Sequence, residues 1–589
     1  MTGLLIALTI GLPWIGAVAV WAVGDYRARL QHRLAVGFAV SAAVTALLLL
    51  TATTDAVELR LVVGGIFGDF TFVPDGLAVL LTVIAAVIGG LAVIFSMDYM
   101  RGEAGLGRYY ALVLLFIGAM AGLVLASNLL LMFLFWEMTA LCSYALISFY
   151  NDDPKAVAGG VKALIMTQIG GLGLLIGVLA ARASLGSYDI SALLEGAHTL
   201  APETLALIAF GFLVAAAAKS AQVPFQTWLP GAMEAPTPVS ALIHAATMVN
   251  AGVYLLIRFY PAFEGVPGWT TAVMLVGLVS ALLAALLAVV AKDLKRALAY
   301  STVSQLGYMV YAVGVGGVFA AQFHLFSHAV FKALLFLGAG AVIHAAGTRD
   351  MWKMGGLGKE MPFTRNTFVI GALALMGLPI LNGFWSKELI LEAGLHAGPN
   401  WAFAGMVFGA GLTALYTFRM VWLVFFGPRR SEKHVHDAGQ AMRFALGVLA
   451  VGTLTTWLLV GSVGACLSCS VPAGEEAAHA APALGEMVSE VLAAPATWLA
   501  LAVIVFGLFL GWQREPLSKL VDRLGLREPY IAAAERDFGF AWINRQVVRA
   551  VQSMAERLRA VQTGQLNWNA LGIVGALVVV LIVLLAGRG

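Results

Sequence analysis

Charge is scarce in this sequence. Only 11% of its 589 residues are Asp, Glu, Lys or Arg, while 61% are hydrophobic. A soluble globular domain carries roughly a quarter charged residues, so a water-soluble enzyme or binding domain is excluded. Cysteine is nearly absent. Cys142, Cys466 and Cys469 are the three present, too few for an iron–sulfur cluster held by four thiolates. The "CLSC" formed by Cys466 and Cys469 reads as an incidental pair or a local disulfide ahead of a redox or metal site. No block of basic residues supports nucleic-acid binding. The "GGLG" at 355–358 has no strand before it, as a phosphate loop requires, and no haem or flavin signature stands out. These absences predict a chain with no metal, no cofactor and no catalysis of its own.

In their place are apolar runs near twenty residues, each long enough to cross a bilayer as a helix. The runs are solidly apolar instead of alternating, which excludes a transmembrane barrel. The fold expected is an all-α polytopic membrane protein of about sixteen spans. Their centres lie near residues 13, 43, 87, 118, 138, 169, 213, 248, 280, 310, 333, 374, 413, 453, 504 and 578. The first run, from Leu4 to Val23, lacks a charged n-region and a small-residue cleavage site, so it reads as a retained span.

The loops carry the orientation. Segments after odd-numbered spans hold 27 of the 35 Lys and Arg, among them Arg27, Arg29 and Arg33, the "KDLKR" run, and Arg429, Arg430, Lys433 and Arg443. The other loops are nearly bare of basic residues, and 54–75, 182–203 and 464–495 lean acidic. Basic loops stay in the cytoplasm, which predicts a multi-pass protein of a bacterial inner membrane with both termini outside the cytoplasm. Residues 513–568 are too polar to span. Their "FGFAWINRQVVRAVQSMAERLRAVQ" mixes apolar residues and arginines at helical spacing, the pattern of an amphipathic helix lying on the cytoplasmic face.

Some ionisable residues remain inside the spans: Glu137, Lys219, His244, His324, His328, Lys332, Lys387, Glu388 and Arg419. A charge at mid-bilayer costs about 2.5–3.5 kcal/mol on insertion scales. A series of them over five or more spans points to an ion or proton pathway ahead of structural pairing. Two of the spans are also interrupted. Pro224 follows Lys219 and cannot donate to the carbonyl of Ser220, while Pro236 and Pro238 punctuate the next start. Gly377, Pro379 and Gly383 interrupt a second run ahead of Lys387 and Glu388. Broken membrane helices are tolerated where they line a cavity, and their freed backbone dipoles face ions.

His324, His328 and Lys332 recur at i, i+4 and i+8, one stripe on a helix about 12 Å long. The spacing also fits zinc, but Lys332 on the same stripe repels a metal and no carboxylate lies nearby in sequence. The set suits proton hopping. A lysine kept from water releases its proton more readily, histidine titrates near neutrality, and a neighbouring carboxylate holds the lysine charged until it moves or is neutralised. Moving one charge across 100 mV takes about 2.3 kcal/mol, so such a relay must be coupled to an energy source.

Three stretches, "KSAQVPFQTWLPGAMEAPTPVSALIHAATMV", "DLKRALAYSTVSQLGYM" and "FHLFSHAVFKALLFLGAG", resemble the proton-translocating antiporter-like subunit superfamily. That group includes the largest antiporter-like subunit of respiratory complex I and the large subunit of Mrp-type cation/proton antiporters. The resemblance runs from about residue 70 to 430 and more loosely beyond. It implies spans 1–3 over 1–109, two inverted five-helix repeats with broken helices over 110–260 and 261–427, spans 14 and 15 over 428–512, the lateral helix over 513–568 and a final span over 569–589. It implies Glu137 and Lys219 as a gating pair, His244 connecting to Lys332 at the centre, and Lys387 leading to the outlet.

Within the superfamily, "HAAGTRDMWKMGGLGKEMP", "MEAPTPVS" and the Lys387–Glu388 pair are similar to the Mrp branch. So is the tract with Gln168 and Gly171, where the complex I subunit usually has arginine and aspartate. "SALIHAATMVNAG" reads nearly as complex I does. The reading placed first is Mrp-type sodium/proton antiport within a multi-subunit membrane complex, with other membrane subunits, lipid, protons and sodium as partners. The alternative is a proton-pumping subunit of a complex I-like or hydrogenase-like oxidoreductase, or of an inorganic-carbon uptake pump. A third reading is a scaffold that holds partners through the lateral helix.

Overall fold

The computed structural model describes residues 1–51, 58–64, 67–430, 434–468 and 482–561. Lys433, Cys469 and the expected final span lie outside the described residues. Thirteen described helices are long and apolar enough to cross a membrane. They are α1 (Thr2–Val23), α2 (Ala28–Leu49), α3 (Gly76–Tyr99), α4 (Leu106–Leu125), α5 (Leu129–Ile147), α6 (Pro154–Leu185), α7 (Pro202–Lys219), α8 (Thr237–Arg258), α9 (Trp269–Val290), α11 (Val318–Ala346), α14 (Asn400–Phe426), α15 (Gln440–Leu467) and α16 (Pro495–Trp512). Each sits on one of the sixteen expected centres.

The centres at 310 and 374 also fall in helices, but of another kind. The first is α10 (Leu294–Gly314), too polar to qualify by composition, with Ser301, Thr302, Ser304 and Gln305 all buried. The second is divided into α12 (Pro362–Met376) and α13 (Asn382–Ala397), each shorter than a span. A two-stranded hairpin, β1 (Leu59–Leu61) with β2 (Phe70–Phe72), is an addition to the helices. The polar stretch after α16 forms α17 (Arg514–Arg523), α18 (Arg527–Glu535) and α19 (Phe540–Val561). The chain divides into two units, Met1–Asp537 and Phe538–Gly589. The described part of the second is α19, with Ile543, Val547, Val551 and Met554 along one side at helical spacing.

Helix starts are fixed by carboxylates and an amide. Asp75 caps α3 through the amide of Ala78, Asn128 caps α5 through Leu131, and Asp153 caps α6 ahead of Pro154. Other caps come from distant chain. Asp25 accepts from the amide of Gly107 at the start of α4, and Asp98 from Ala441 and Met442 at the start of α15. Asp437 takes the amides of Phe363 and Thr364 and the Thr364 hydroxyl at the start of α12. Burial works against the charge of Asp437, but these bonds hold its carboxyl below the usual carboxylate range. Each anion also meets the positive end of a helix dipole.

Between spans, small residues allow backbones to touch, as membrane packing requires. A Cβ on Gly277 of α9 would lie 2.6 Å from the carbonyl oxygen of Gly307 on α10, and one on Gly307 would lie 2.7 Å from the oxygen of Gly277. Gly173 of α6 and Gly211 of α7 approach each other in the same way.

Candidate functional site

The first interruption begins where α7 ends, at Lys219 itself. The chain from Ser220 to Thr227 is irregular; Ser220, Ala221, Gln222, Gln226 and Thr227 are buried, while Pro224 is exposed. Val223 donates its amide to Ser280 Oγ at 2.9 Å, Gln222 Nε2 reaches the carbonyls of Ser220 and Val303, and Trp228 Nε1 caps the carbonyl of Ala218. These bonds satisfy the groups that a helix end leaves open, so the break survives within the bundle. Pro236 precedes α8 and Pro238 occupies its first turn.

One turn of α8, Leu242–Ala246, is π-helical, and it carries His244. The acceptors loosened by the wider turn are taken by Thr247 Oγ1 at Leu242 O and by Asn250 Nδ2 at Ala245 O. Such turns gather at functional positions in helices.

The second interruption lies between α12 and α13. Gly377 is left-handed at φ 83°, a conformation glycine adopts without strain, and Pro379 follows. Gly383 is a correction to the expectation. It does not interrupt a helix; it sits in the first turn of α13, where a Cβ would strike the carbonyl of Ala374. Its function is close backbone approach. Lys387 and Glu388 are buried in the second turn of α13, so neither belongs to a surface helix end.

The expected residues fall into two groups. In the first, Lys219 Nζ donates to the backbone carbonyl of Trp136 at 2.7 Å and lies 4.8 Å from the centre of its ring. Half-buried Glu137 is an electrostatic neighbour of Lys219 but makes no contact ion pair with it. Its Oε2 accepts instead from Gln168 Nε2. Gly171 leaves the room that Glu137 Oε1 occupies, since a Cβ there would collide with it. The two positions at which this chain departs from the usual complex I pattern are therefore both packed around Glu137.

The second group runs from His244 to Glu388. Lys295 and Lys332 are the charges nearest His244 in effect, and Lys332 and Lys387 act in turn on His324 and His328. Lys332 Nζ donates to Ser301 Oγ, and Leu298 O lies at 3.5 Å. His324 is held between Ser386 Oγ at 2.9 Å and Gln305 Oε1 at 3.2 Å, and its ring centre is 6.2 Å from that of His328. Lys387 Nζ donates to Leu375 O, a carbonyl freed by the end of α12. Between the groups, Ser220 Oγ donates to Val249 O and ties the end of α7 to α8.

Two features set this file apart from ordinary core. Lys219, Lys295, Lys332 and Lys387 are all buried, and each donates to neutral oxygen; among the described residues none makes an ion pair. Many neighbouring polar atoms also lack a protein partner among the described residues: both ring nitrogens of His244 and of His328, Glu137 Oε1, Ser304 Oγ and Gln305 Nε2. Buried polar groups are normally satisfied by protein or by ordered water, and a row of unsatisfied ones has the chemistry of a water path.

Sequence reasoning missed Lys295. It was grouped with the loop "KDLKR", whereas it is the second residue of α10, 2% exposed, with Nζ 2.6 Å from Ala235 O. The signal was present: Ser301 or Thr302, Gln305 and Tyr308 recur at three to four residues, and Lys295 precedes them by two turns on the same helix. Lys162, near the start of α6, donates to Thr227 O. Arg419 stands apart from the file; it donates to Ala291 O at the end of α9 and lies over the ring of Trp352. Among the described residues no group of three or more His, Cys, Asp or Glu is placed to hold a metal ion.

Comparison with known proteins gives consistent results. The family described as "NADH:quinone oxidoreductase/Mrp antiporter, TM" matches residues 126–413, and "NADH-Ubiquinone oxidoreductase (complex I), chain 5 N-terminus" matches 61–110. The chain is 42% identical over 455 residues to NAD(P)H-quinone oxidoreductase chain 5 of a Picosynechococcus species, covering 70% of this chain and 68% of that protein. It is 39% identical over 537 residues to NADH-quinone oxidoreductase subunit L of Pseudomonas aeruginosa, covering 87% and 86%. Among solved structures, a chain of the Mrp complex from a Dietzia species superposes with a TM-score of 0.80 at 30% identity. That match covers 100% of this chain and 63% of the Dietzia chain.

Proposed function

The chain belongs to the family of antiporter-like membrane subunits shared by NADH:quinone oxidoreductases and Mrp antiporters, and from that premise we propose that it translocates protons within a quinone-linked, complex I-like membrane assembly. The redox centres of such an assembly reside on other chains. The observation that carries the translocation reading is the buried file from Glu137 to Glu388, in which four lysines rest on neutral oxygens. A buried ammonium without a counter-ion is poised to lose its proton, and an approaching carboxylate restores it. Glu137 and Lys219 act as the gate, His244, Lys295 and Lys332 as the centre, His328 and His324 as the link, and Lys387 with Glu388 as the outlet. The two halves, 110–260 and 261–427, act as repeats around that centre, and the basic loops face the cytoplasm of a bacterial inner membrane.

The quinone-linked reading is favoured over sodium antiport by identity to quinone oxidoreductase subunits, 39% across 87% of the chain in the Pseudomonas aeruginosa case. Antiport remains the second reading. It is supported by the Dietzia superposition and by Gln168 and Gly171 around Glu137. The two separate in vesicles holding the complete complex. Acidification that requires an electron donor and quinone, and ignores a sodium step, is the expected outcome. Proton release triggered by sodium with no quinone reduction selects antiport.

Lys295 provides a sharper test of the centre. Lys295→Met keeps the side-chain volume and removes the charge felt by His244. Proton movement is expected to fall by on the order of tenfold or more, with the complex still assembled. Unchanged rates would leave Lys295 as packing.

A further inference from the structure

An apolar groove of about 520 Å³ opens between α12, α14 and α16, lined by Leu373, Met376, Phe418, Val505, Phe509 and Trp512 among others. It lies within spans, so its walls require an apolar occupant. One end reaches Leu378, beside the Gly377 interruption. The other end lies at Trp512, the last residue of α16.

That second end has a built aromatic ladder. Phe418 in the groove wall stacks on Trp422 with ring centres 6.2 Å apart, and Trp422 meets Trp512 edge-on at 6.3 Å. Above the ladder, the guanidinium of Arg514 lies 4.3 Å from the centre of the Trp422 ring. Among the described residues no carboxylate pairs with Arg514. A guanidinium over an aromatic face keeps its forked N–H donors free at its edges, the arrangement suited to phosphate oxygens. The groove thus joins an acyl-sized apolar slot to an unpaired cation at the level where aromatic side chains mark the membrane surface.

We propose that this groove is a binding site for one anionic phospholipid, its acyl chain lying in the slot toward Leu378 and its phosphate bonded to Arg514. The inference does not depend on whether the complex is a redox pump or an antiporter. A chain lodged there reaches Leu378, the residue that follows Gly377 in the α12–α13 interruption. Retention of lipid is therefore expected to stiffen the interruption.

The test is native mass spectrometry of the full chain in its complex, incubated with equal amounts of phosphatidylglycerol and phosphatidylcholine of matched chains. Wild type is expected to retain phosphatidylglycerol with about fivefold preference, the increment of one basic residue near a membrane surface. Arg514→Gln is expected to bring the ratio to about one while lipid is still retained, and Arg514→Lys to keep part of the preference. Ala372 also lines the groove, and Ala372→Phe, which fills the slot, is expected to lose both lipids. The proposal is overturned if wild type shows no preference, if Arg514→Gln leaves the preference intact, or if the slot proves filled by a partner subunit so that Ala372→Phe changes no lipid signal. Arg514 is partly exposed and lies outside the slot, so that variant remains informative even if the slot-filling one fails to fold.

Discussion

Lys219→Ala is expected to slow proton movement by on the order of a hundredfold, the scale of losing a positioned proton-transfer group. The physical reason is the setting of Nζ: no exposure, a single bond to the carbonyl of Trp136, and a carboxylate at Glu137 that is near without being in contact. Removing the amine removes the buried base beside Glu137 at the end of α7. Lys219→Arg separates a relay from a structural cation. Arginine keeps the positive charge and the hydrogen bond but does not release its proton in proteins. A relay therefore fails with arginine as it does with alanine, whereas a structural cation is rescued. Flux measured by a pH-sensitive dye in vesicles decides this, and recovery with arginine would remove Lys219 from the pathway.

Gly307→Leu is expected to leave little folded protein. The side chain would have to enter the contact between α9 and α10, where Gly277 and Gly307 already bring backbone against backbone. Overpacking costs about 1–3 kcal/mol where side chains can yield; here the obstacle is main chain on both sides, so the cost exceeds that range. The consequence is also functional, because α10 carries Lys295, Ser301 and Gln305, and displacing it misplaces all three. Thermal unfolding in detergent, or the yield of monodisperse protein, measures the loss. Gly265→Leu is the control, since nothing lies within 4 Å of a Cβ at that loop position. Equal stability of the two variants would contradict the close-packing argument.

Much of the candidate site is legible in the sequence, because a membrane interior makes charge conspicuous. Glu137, Lys219, His244, His324, His328, Lys332, Lys387 and Glu388 each stood out against an apolar run, and the prolines and Gly377 marked the interruptions. Lys295 was not legible in the same way. It lies two residues into its helix, next to residues that do belong to a loop, and composition alone assigns all of "KDLKR" to the surface. Gln168 and Gly171 were visible only as departures from a family pattern. That Gln168 bonds to Glu137 and Gly171 makes room for it is a matter of how α5 and α6 face each other. Gly383 was misread for a related reason: glycine marks either a break or a close approach, and the choice depends on whether another backbone, here Ala374, lies opposite.

The class of the molecule, the positions of its long apolar helices and most of its intramembrane ionisable residues follow from the sequence by itself, since apolar run length and the energetic cost of charge in lipid are properties of local composition. Which of those residues share a file, and that the lysines meet neutral oxygens in place of carboxylates, depended on tertiary structure. Groups more than eighty residues apart, as in the bond from the Lys219 ammonium to the Trp136 carbonyl, are brought together by helix packing, and packing is decided by shape at contacts such as Gly277 against Gly307 that no single helix encodes.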